Sequence, residues 1–344
     1  MKKLLKYISP LAPDDSGACA VLYELGGVVV ICDAGGCTGN ICGFDEPRWH
    51  EKKSALFSAG LRDMDAILGR DKRLIEKLGA ACRQLSALHP RFTAVIGTPV
   101  PAVIATDLHA VRRMAEKETG LPCLALDTDG TAYYDTGAEK AYLALFETFA
   151  KEACPVRKGR LGVLGATPLD LGLTRADRLT AALRAEGWDE VICMGLDSGI
   201  DEITAAASCE RLLAISPAGL KAAEYLSAKF GTPFTAGCPL LPAETVQAAA
   251  ALNGKRVLII HQQFAANALR EKLTGCTCDC ATWFQFHRKY AQEGDFRITG
   301  EDILREKAAQ YDVIIADRDL MRMLPDYKGG RIDFPHYAVS ARLL

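Results

Sequence analysis

The sequence has little that is one-sided. Its 344 residues carry 41 Lys and Arg against 43 Asp and Glu, a formal net charge of −2. No basic field is present to hold a nucleic acid, and no block of like charge forms a tail. Aromatic residues make up 7%, too few to advertise base-stacking platforms. Long apolar runs are missing as well. The stretches 28–32 and 257–260 are strand-sized, against the ~18 residues of a membrane-spanning helix. The basic start Met1-Lys2-Lys3-Leu4-Leu5-Lys6 runs into Tyr7-Ile8-Ser9-Pro10 rather than an apolar segment, so no signal peptide is read and a cytoplasmic location is expected. H-E-x-x-H, G-x-S-x-G and G-K-[ST] are all missing, which removes the commonest metalloprotease, hydrolase and phosphate-loop signatures.

Cysteine, by contrast, is abundant. There are 13, and an odd count in a cytosolic chain of this length does not read as a disulfide framework. Some are expected to be small buried hydrophobes; the others are candidate metal ligands.

With 49% hydrophobic and 24% charged residues, the composition is that of a globular protein, and its length suggests two or three domains. Short apolar runs alternate with helical patterns throughout, the mark of βαβ units and parallel sheets. Strands are expected at 27–33, 92–97, 121–127, 161–164, 190–194, 212–215, 256–260, 281–286 and 312–316. Helices are expected at 71–88, 101–119, 175–186, 200–208, 217–230, 264–273 and 301–309. Polar stretches near 154–160 and 253–255 divide the chain into three Rossmann-like units, 1–155, 156–253 and 254–344. In such sheets ligands sit beyond the carboxyl ends of the strands, which directs attention to the loops 34–43, 98–101, 165–173, 196–199 and 261–263.

The loop Asp33-Ala34-Gly35-Gly36-Cys37-Thr38-Gly39-Asn40-Ile41-Cys42-Gly43 is the most informative. Its glycines let backbone approach a ligand closely. Its pattern is not the G-x-G-x-x-G of a dinucleotide site. Cys37 and Cys42 are soft donors of the kind iron–sulfur clusters need, although C-x4-C fits an incidental pair of thiols equally well. Cys32 reads as a core strand residue.

Around this loop a series of segments occurs in fixed order. Ile8-Ser9-Pro10 precedes Ser16-Gly17-Ala18, and Gly35-Gly36-Cys37 follows. Next come Met64-Asp65-Ala66-Ile67-Leu68-Gly69-Arg70 and Thr98-Pro99-Val100-Pro101-Ala102-Val103-Ile104 with Asp107-Leu108. Glu118-Thr119-Gly120-Leu121-Pro122 is next. Later Lys229-Phe230-Gly231 with Pro233, Gly254-Lys255-Arg256-Val257 and Tyr311-Asp312-Val313-Ile314-Ile315-Ala316 continue the series. The series resembles nitrogenase component 1. That family includes the molybdenum–iron protein subunits, their cofactor-assembly scaffold relatives and the subunits of dark-operative protochlorophyllide reductase. The resemblance covers nearly the whole chain and implies three Rossmann-like domains.

It also implies an iron–sulfur cluster at a subunit interface. The family holds its cluster with three cysteines per subunit; only the second is kept here, as Cys37. Pro13 and Pro99 stand at the other two positions. One branch uses an aspartate ligand near the first, where Asp14 and Asp15 lie. The implied [4Fe-4S] cluster would take Cys37 and Cys42 from each of two subunits, or Cys37 with Asp14 or Asp15 from each, with Gly35 and Gly36 shaping the loop. The iron–molybdenum cofactor cysteine of the family falls near Ile215, so no such cofactor and no dinitrogen reduction are expected. The implied partners are a second copy or a related subunit, and an ATP-dependent iron protein as electron donor. The implied activity is low-potential reduction of a small substrate; a non-catalytic cofactor scaffold and a cluster-free binding protein are the alternatives.

Other constellations favour plain roles. Cys276-Thr277-Cys278-Asp279-Cys280 reads as a turn entering a strand, with the thiols on one face. Arg48-Trp49-His50-Glu51 reads as a solvated helix entry. The six histidines are dispersed without ligand spacing.

Overall fold

The computed structural model describes residues 5–69 and 71–344. Three parallel sheets follow one another along the chain. The first contains β1 (Val28–Ile31), β2 (Ala55–Ser58), β3 (Thr93–Ile96) and β4 (Cys123–Leu126) in the order β2-β1-β3-β4. The second contains β5 (Arg157–Leu164), β6 (Glu190–Cys193), β7 (Cys209–Ala214) and β8 (Phe234–Ala236), ordered β6-β5-β7-β8. The third contains β9 (Arg256–Ile260), β10 (Thr277–Thr282), β11 (Phe296–Arg297), β12 (Val313–Ala316) and β13 (Gly330–Asp333), ordered β11-β10-β9-β12-β13. Strands such as β1, β3 and β12 are buried on both faces, as their unbroken Val and Ile runs require. This is the expected α/β class with Rossmann-like sheets.

Several elements depart from expectation. The helix expected over 101–119 is two, Pro99–Val103 and Leu108–Thr119. Asp107 interrupts it, because its carboxylate caps the second helix at Ala110 N–H, 3.0 Å. The strand expected at 281–286 is β10, four residues earlier, and it contains Cys278 and Cys280.

Among the helices that were not expected, two matter most. Helix α1 (Asp14–Leu22) is buried at all nine positions. It lies against a helix of the chain's middle third, Tyr134–Phe149. Their backbones touch. A Cβ on Gly17 would sit 1.8 Å from Tyr134 O, and one on Gly137 would sit 1.7 Å from Asp14 O. Glycine is required at both points because nothing larger fits between the main chains.

Each sheet changes winding direction between its first strand and a later neighbour, β1/β3, β5/β7 and β9/β12. Crevices form at such switch points. At the second and third, the crevice is filled by protein. The Tyr134 hydroxyl lies 2.7 Å from Asp170 Oδ1 and 3.0 Å from His336 Nε2. The His336 ring stacks on His261, centroids 4.1 Å apart. Ser216 and Thr167 hydroxyls complete the shell of Asp170. All six residues are buried. Burial pushes the Asp170 carboxyl up to about 7 and His261 down to about 4.

Two predictions follow from this packing. Gly17→Ala or Gly137→Ala should cost about 3 kcal/mol by overpacking against a backbone that cannot yield. Gly39→Ala, with nothing within 4 Å, should shift stability by less than about 0.5 kcal/mol; denaturant titration compares them. The folded Asp170 carboxyl binds its proton more tightly than the unfolded one, so its contribution is complete below pH 3.8 and is lost as pH rises through about 7. Across that window wild type should lose stability relative to Asp170→Asn, read as thermal midpoints at stepped pH.

Candidate functional site

The switch point of the first sheet is open, and the Gly-rich loop lies there. The loop is not an extended flexible strap as its glycines suggest. After Gly35, whose φ of 113° only glycine adopts readily, the chain forms the short helix α2 (Gly36–Asn40) and then one π-helical turn, Ile41–Asp45. Asp33, just beyond β1, organises the start: Oδ2 accepts Thr38 N–H at 2.8 Å and Oδ1 accepts the Ser58 hydroxyl at 2.6 Å.

Cys37 and Cys42 are both half-buried on this structure. The Cys37 thiol is pushed up to about 11, by burial first and then by the charges of Asp15 and Asp33. The Asp15 carboxyl and the Thr98 side chain both lie beside its sulfur. Burial also raises the Cys42 thiol, with Glu46 and Asp33 adding to it. Cys19, one helical turn beyond Asp15 on α1, is fully buried near Cys42. One face of α1 thus backs both half-buried thiols.

The structure separates the two aspartates. Asp14 is spent on main chain: Oδ1 accepts Gly130 N–H at 2.8 Å and Asp15 N–H at 3.1 Å, and Oδ2 accepts Asp129 N–H at 3.3 Å. Asp15 is 2% exposed, yet its Oδ1 has no hydrogen-bond partner among the described residues. Its carboxyl is pushed up to about 6 by burial and by the neighbouring Asp14 charge. A buried, unsatisfied acceptor beside a thiol is costly unless something else meets it. Thr98 fills the neighbourhood of the proline at 99, its hydroxyl donating to Cys32 O at 2.8 Å.

Within one protomer the described residues include no three His, Cys, Asp or Glu side chains that converge on a metal position. Phe44, Met64, Ile67, Leu68, Val103 and Ile104 are 36–84% exposed, and all lie in segments that follow the carboxyl ends of β1, β2 or β3.

Local sequence misrepresented Arg48, which is not solvated but fully buried. Its guanidinium binds Glu46 at 2.6 Å, Ala20 O at 2.6 Å and Gly195 O at 3.2 Å, tying the loop to α1 and to the second sheet. The loop at 196–199 is a structural turn, with Asp197 accepting Ala176 N–H and pairing with Lys52. Cys276 and Cys278 are half-buried and Cys280 is buried.

Residues 15–254 match the family model described as nitrogenase component 1 type oxidoreductase. The chain belongs to the nitrogenase component 1 family. Among curated relatives, the nitrogenase iron-molybdenum cofactor biosynthesis protein NifE of Clostridium pasteurianum is 30% identical over 183 residues, 52% of this chain and 38% of that protein. NifE of Klebsiella pneumoniae is 36% identical over 75 residues, 22% of this chain and 16% of that protein. The chain therefore aligns with well under half the length of these relatives. Solved structures of nitrogenase Cp1 at pH 6.5 and pH 5 superpose at TM-score 0.70 with 12% and 14% identity. They cover 97% and 99% of this chain, which in turn covers 87% and 86% of theirs. This likeness shows the nitrogenase component 1 fold. Among the described residues, no helix is long and apolar enough to cross a membrane.

In the metal-free protein the two aspartates should behave oppositely. At pH 7.5, Asp14→Asn should lose about 1 kcal/mol through weakened acceptors for Gly130 and Asp129. Asp15→Asn should gain about 2 kcal/mol, because it removes an ionised, unpartnered carboxylate. Denaturant midpoints decide.

Proposed function

We propose that this chain is an oxidoreductase subunit that holds a [4Fe-4S] cluster between two subunits, at the open switch point of its first sheet. Proteins of the family bind iron–sulfur clusters and work as oligomers with partner subunits and an iron protein. The observation that carries the reading is Cys37 beside a buried Asp15 oxygen without a partner, with too few converging donors among the described residues of one protomer to complete a metal site. A second copy would supply the remaining donors, and the exposed apolar residues after β1, β2 and β3 would bury against it. The donor set fits the group: Cys37 and Cys42 from each subunit, or Cys37 and Asp15 from each. Asp14 is the poorer candidate, since its oxygens are already used.

When bound, such a cluster takes up and passes on single electrons. The residues of this chain set the conditions for that. Burial and the Asp15 and Asp33 charges keep the free Cys37 thiol protonated, so loading releases a proton from its sulfur. The Thr98 side chain lies beside the same sulfur, with its hydroxyl donated to Cys32 O at 2.8 Å. An ATP-dependent iron protein would deliver the electrons, to a small substrate other than dinitrogen, since Ile215 offers no thiol.

The NifE relatives favour a second reading, a scaffold on which a metallocofactor is held without turnover. Their names refer to iron-molybdenum cofactor biosynthesis.

Anaerobically purified protein should contain about four iron and four sulfide per dimer, with an absorbance change on dithionite reduction. Cys37→Ala should remove both. Comparing Cys42→Ala with Asp15→Asn identifies the second donor, as the more damaging change marks the ligand. ATP-dependent reduction of the cluster by an iron protein supports the reductase, and a loaded cluster that accepts no electrons supports the scaffold. No iron after anaerobic reconstitution refutes both.

A further inference from the structure

The turn that carries Cys42 is packed at one end only: Ile41 is fully buried in the core and Cys42 lies against it. Its π geometry is closed by Glu46 N–H to Ile41 O, five residues back, at 2.9 Å. Such turns are rare and occur mostly singly, often at functional sites. The Phe44 ring is 66% exposed. Beside the turn lies a cleft of about 620 Å³, lined by Asn40, Phe44 and Asp45 and by Tyr337 and Ser340. Packing therefore fixes residue 41 and leaves the far end of the turn, at 44–45, facing the cleft.

Hydrogen bonds hold that end, one from Asn40 within the loop and two from distant parts of the chain. Asp45 Oδ2 accepts the Ser16 hydroxyl at 2.6 Å and the Asn40 amide at 2.7 Å. The Tyr337 hydroxyl donates to Phe44 O at 2.7 Å. Tyr337 is 7% exposed and opens a one-turn helix, Tyr337–Ser340. That helix is itself clamped by Asp317, whose Oδ2 accepts His336 N–H at 2.9 Å, the Ser340 hydroxyl at 2.6 Å and the Arg342 guanidinium at 3.0 Å. The Asp317 side chain is fully buried. A rigid post in the third unit thus presents one hydroxyl to one carbonyl of the first.

We propose that Tyr337 is a positioning residue for the candidate cluster site. By holding the Phe44 carbonyl, its hydroxyl keeps residues 41–45 in the π turn and sets the direction of the Cys42 thiol. What Cys42 then binds rests on the reading above; the restraint on the turn does not.

The test compares Tyr337→Phe with Tyr337→Leu in the full chain, first metal-free. Tyr337→Phe keeps the ring and removes only the donated bond. Hydrogen exchange at the amides of residues 42–46 should rise about fivefold in both variants, while exchange in α1 and β1 stays as in wild type. Fivefold faster exchange in Tyr337→Leu alone would mean that the ring packs and the hydroxyl does nothing, which overturns the proposal; so would unchanged exchange in both. In reconstituted protein, loss of iron to a chelator should be about fivefold faster in Tyr337→Phe. Should the wild type take up no iron while the exchange result stands, the positioning role survives and the cluster reading fails.

Discussion

The contact on which the site depends is the crossing of α1 with the helix Tyr134–Phe149. Gly17 and Gly137 let two main chains meet without side chains between them. The crossing fixes where α1 starts, and with it Asp14 and Asp15. One aspartate is then turned to the backbone of 129–130 and the other to Cys37. The same crossing fixes the first residue of the second helix, whose Tyr134 side chain reaches away from the loop into the polar cluster between the second and third sheets. Two regions with no side-chain contact in common are therefore referenced to one pair of glycines.

The three switch points have been treated differently by the chain. Two are closed with aromatic rings, imidazoles and a carboxyl that burial pushes up to about 7, and their polar groups largely satisfy one another, although His261 Nδ1 has no hydrogen-bond partner among the described residues. The switch point of the first sheet keeps two half-buried thiols and a carboxylate oxygen with no partner. That oxygen beside a thiol, more than the presence of cysteine, distinguishes the loop after β1 from the other loops of the fold.

Much of the architecture was legible because parallel sheets advertise themselves. Buried strands such as β9 and β12 are runs of Val and Ile, and their helices end in Gly, as at Gly120 and Gly231. What was not legible lacks local pattern. Helix α1 is buried all round and made largely of small residues, so no amphipathic period betrays it. Arg48 looked solvated because its partners, Ala20 and Gly195, lie far from it in sequence. His261 and His336 looked unrelated because only the fold stacks them. The motif around Cys37 was readable from family likeness, but the difference between Asp14 and Asp15 was not. Neighbours in sequence, they diverge only through which backbone amides the fold brings within reach.

The Cys42 turn is anchored by residues translated long after it. Arg48 meets Gly195, 147 residues downstream, and Phe44 meets Tyr337, 293 residues downstream. Until those residues have been made, the loop has only its contacts within the first unit, among them Ser16 and Asn40 with Asp45 and Arg48 with Ala20. A chain interrupted before residue 337 would keep its sheets while leaving the Phe44 carbonyl without the Tyr337 hydroxyl.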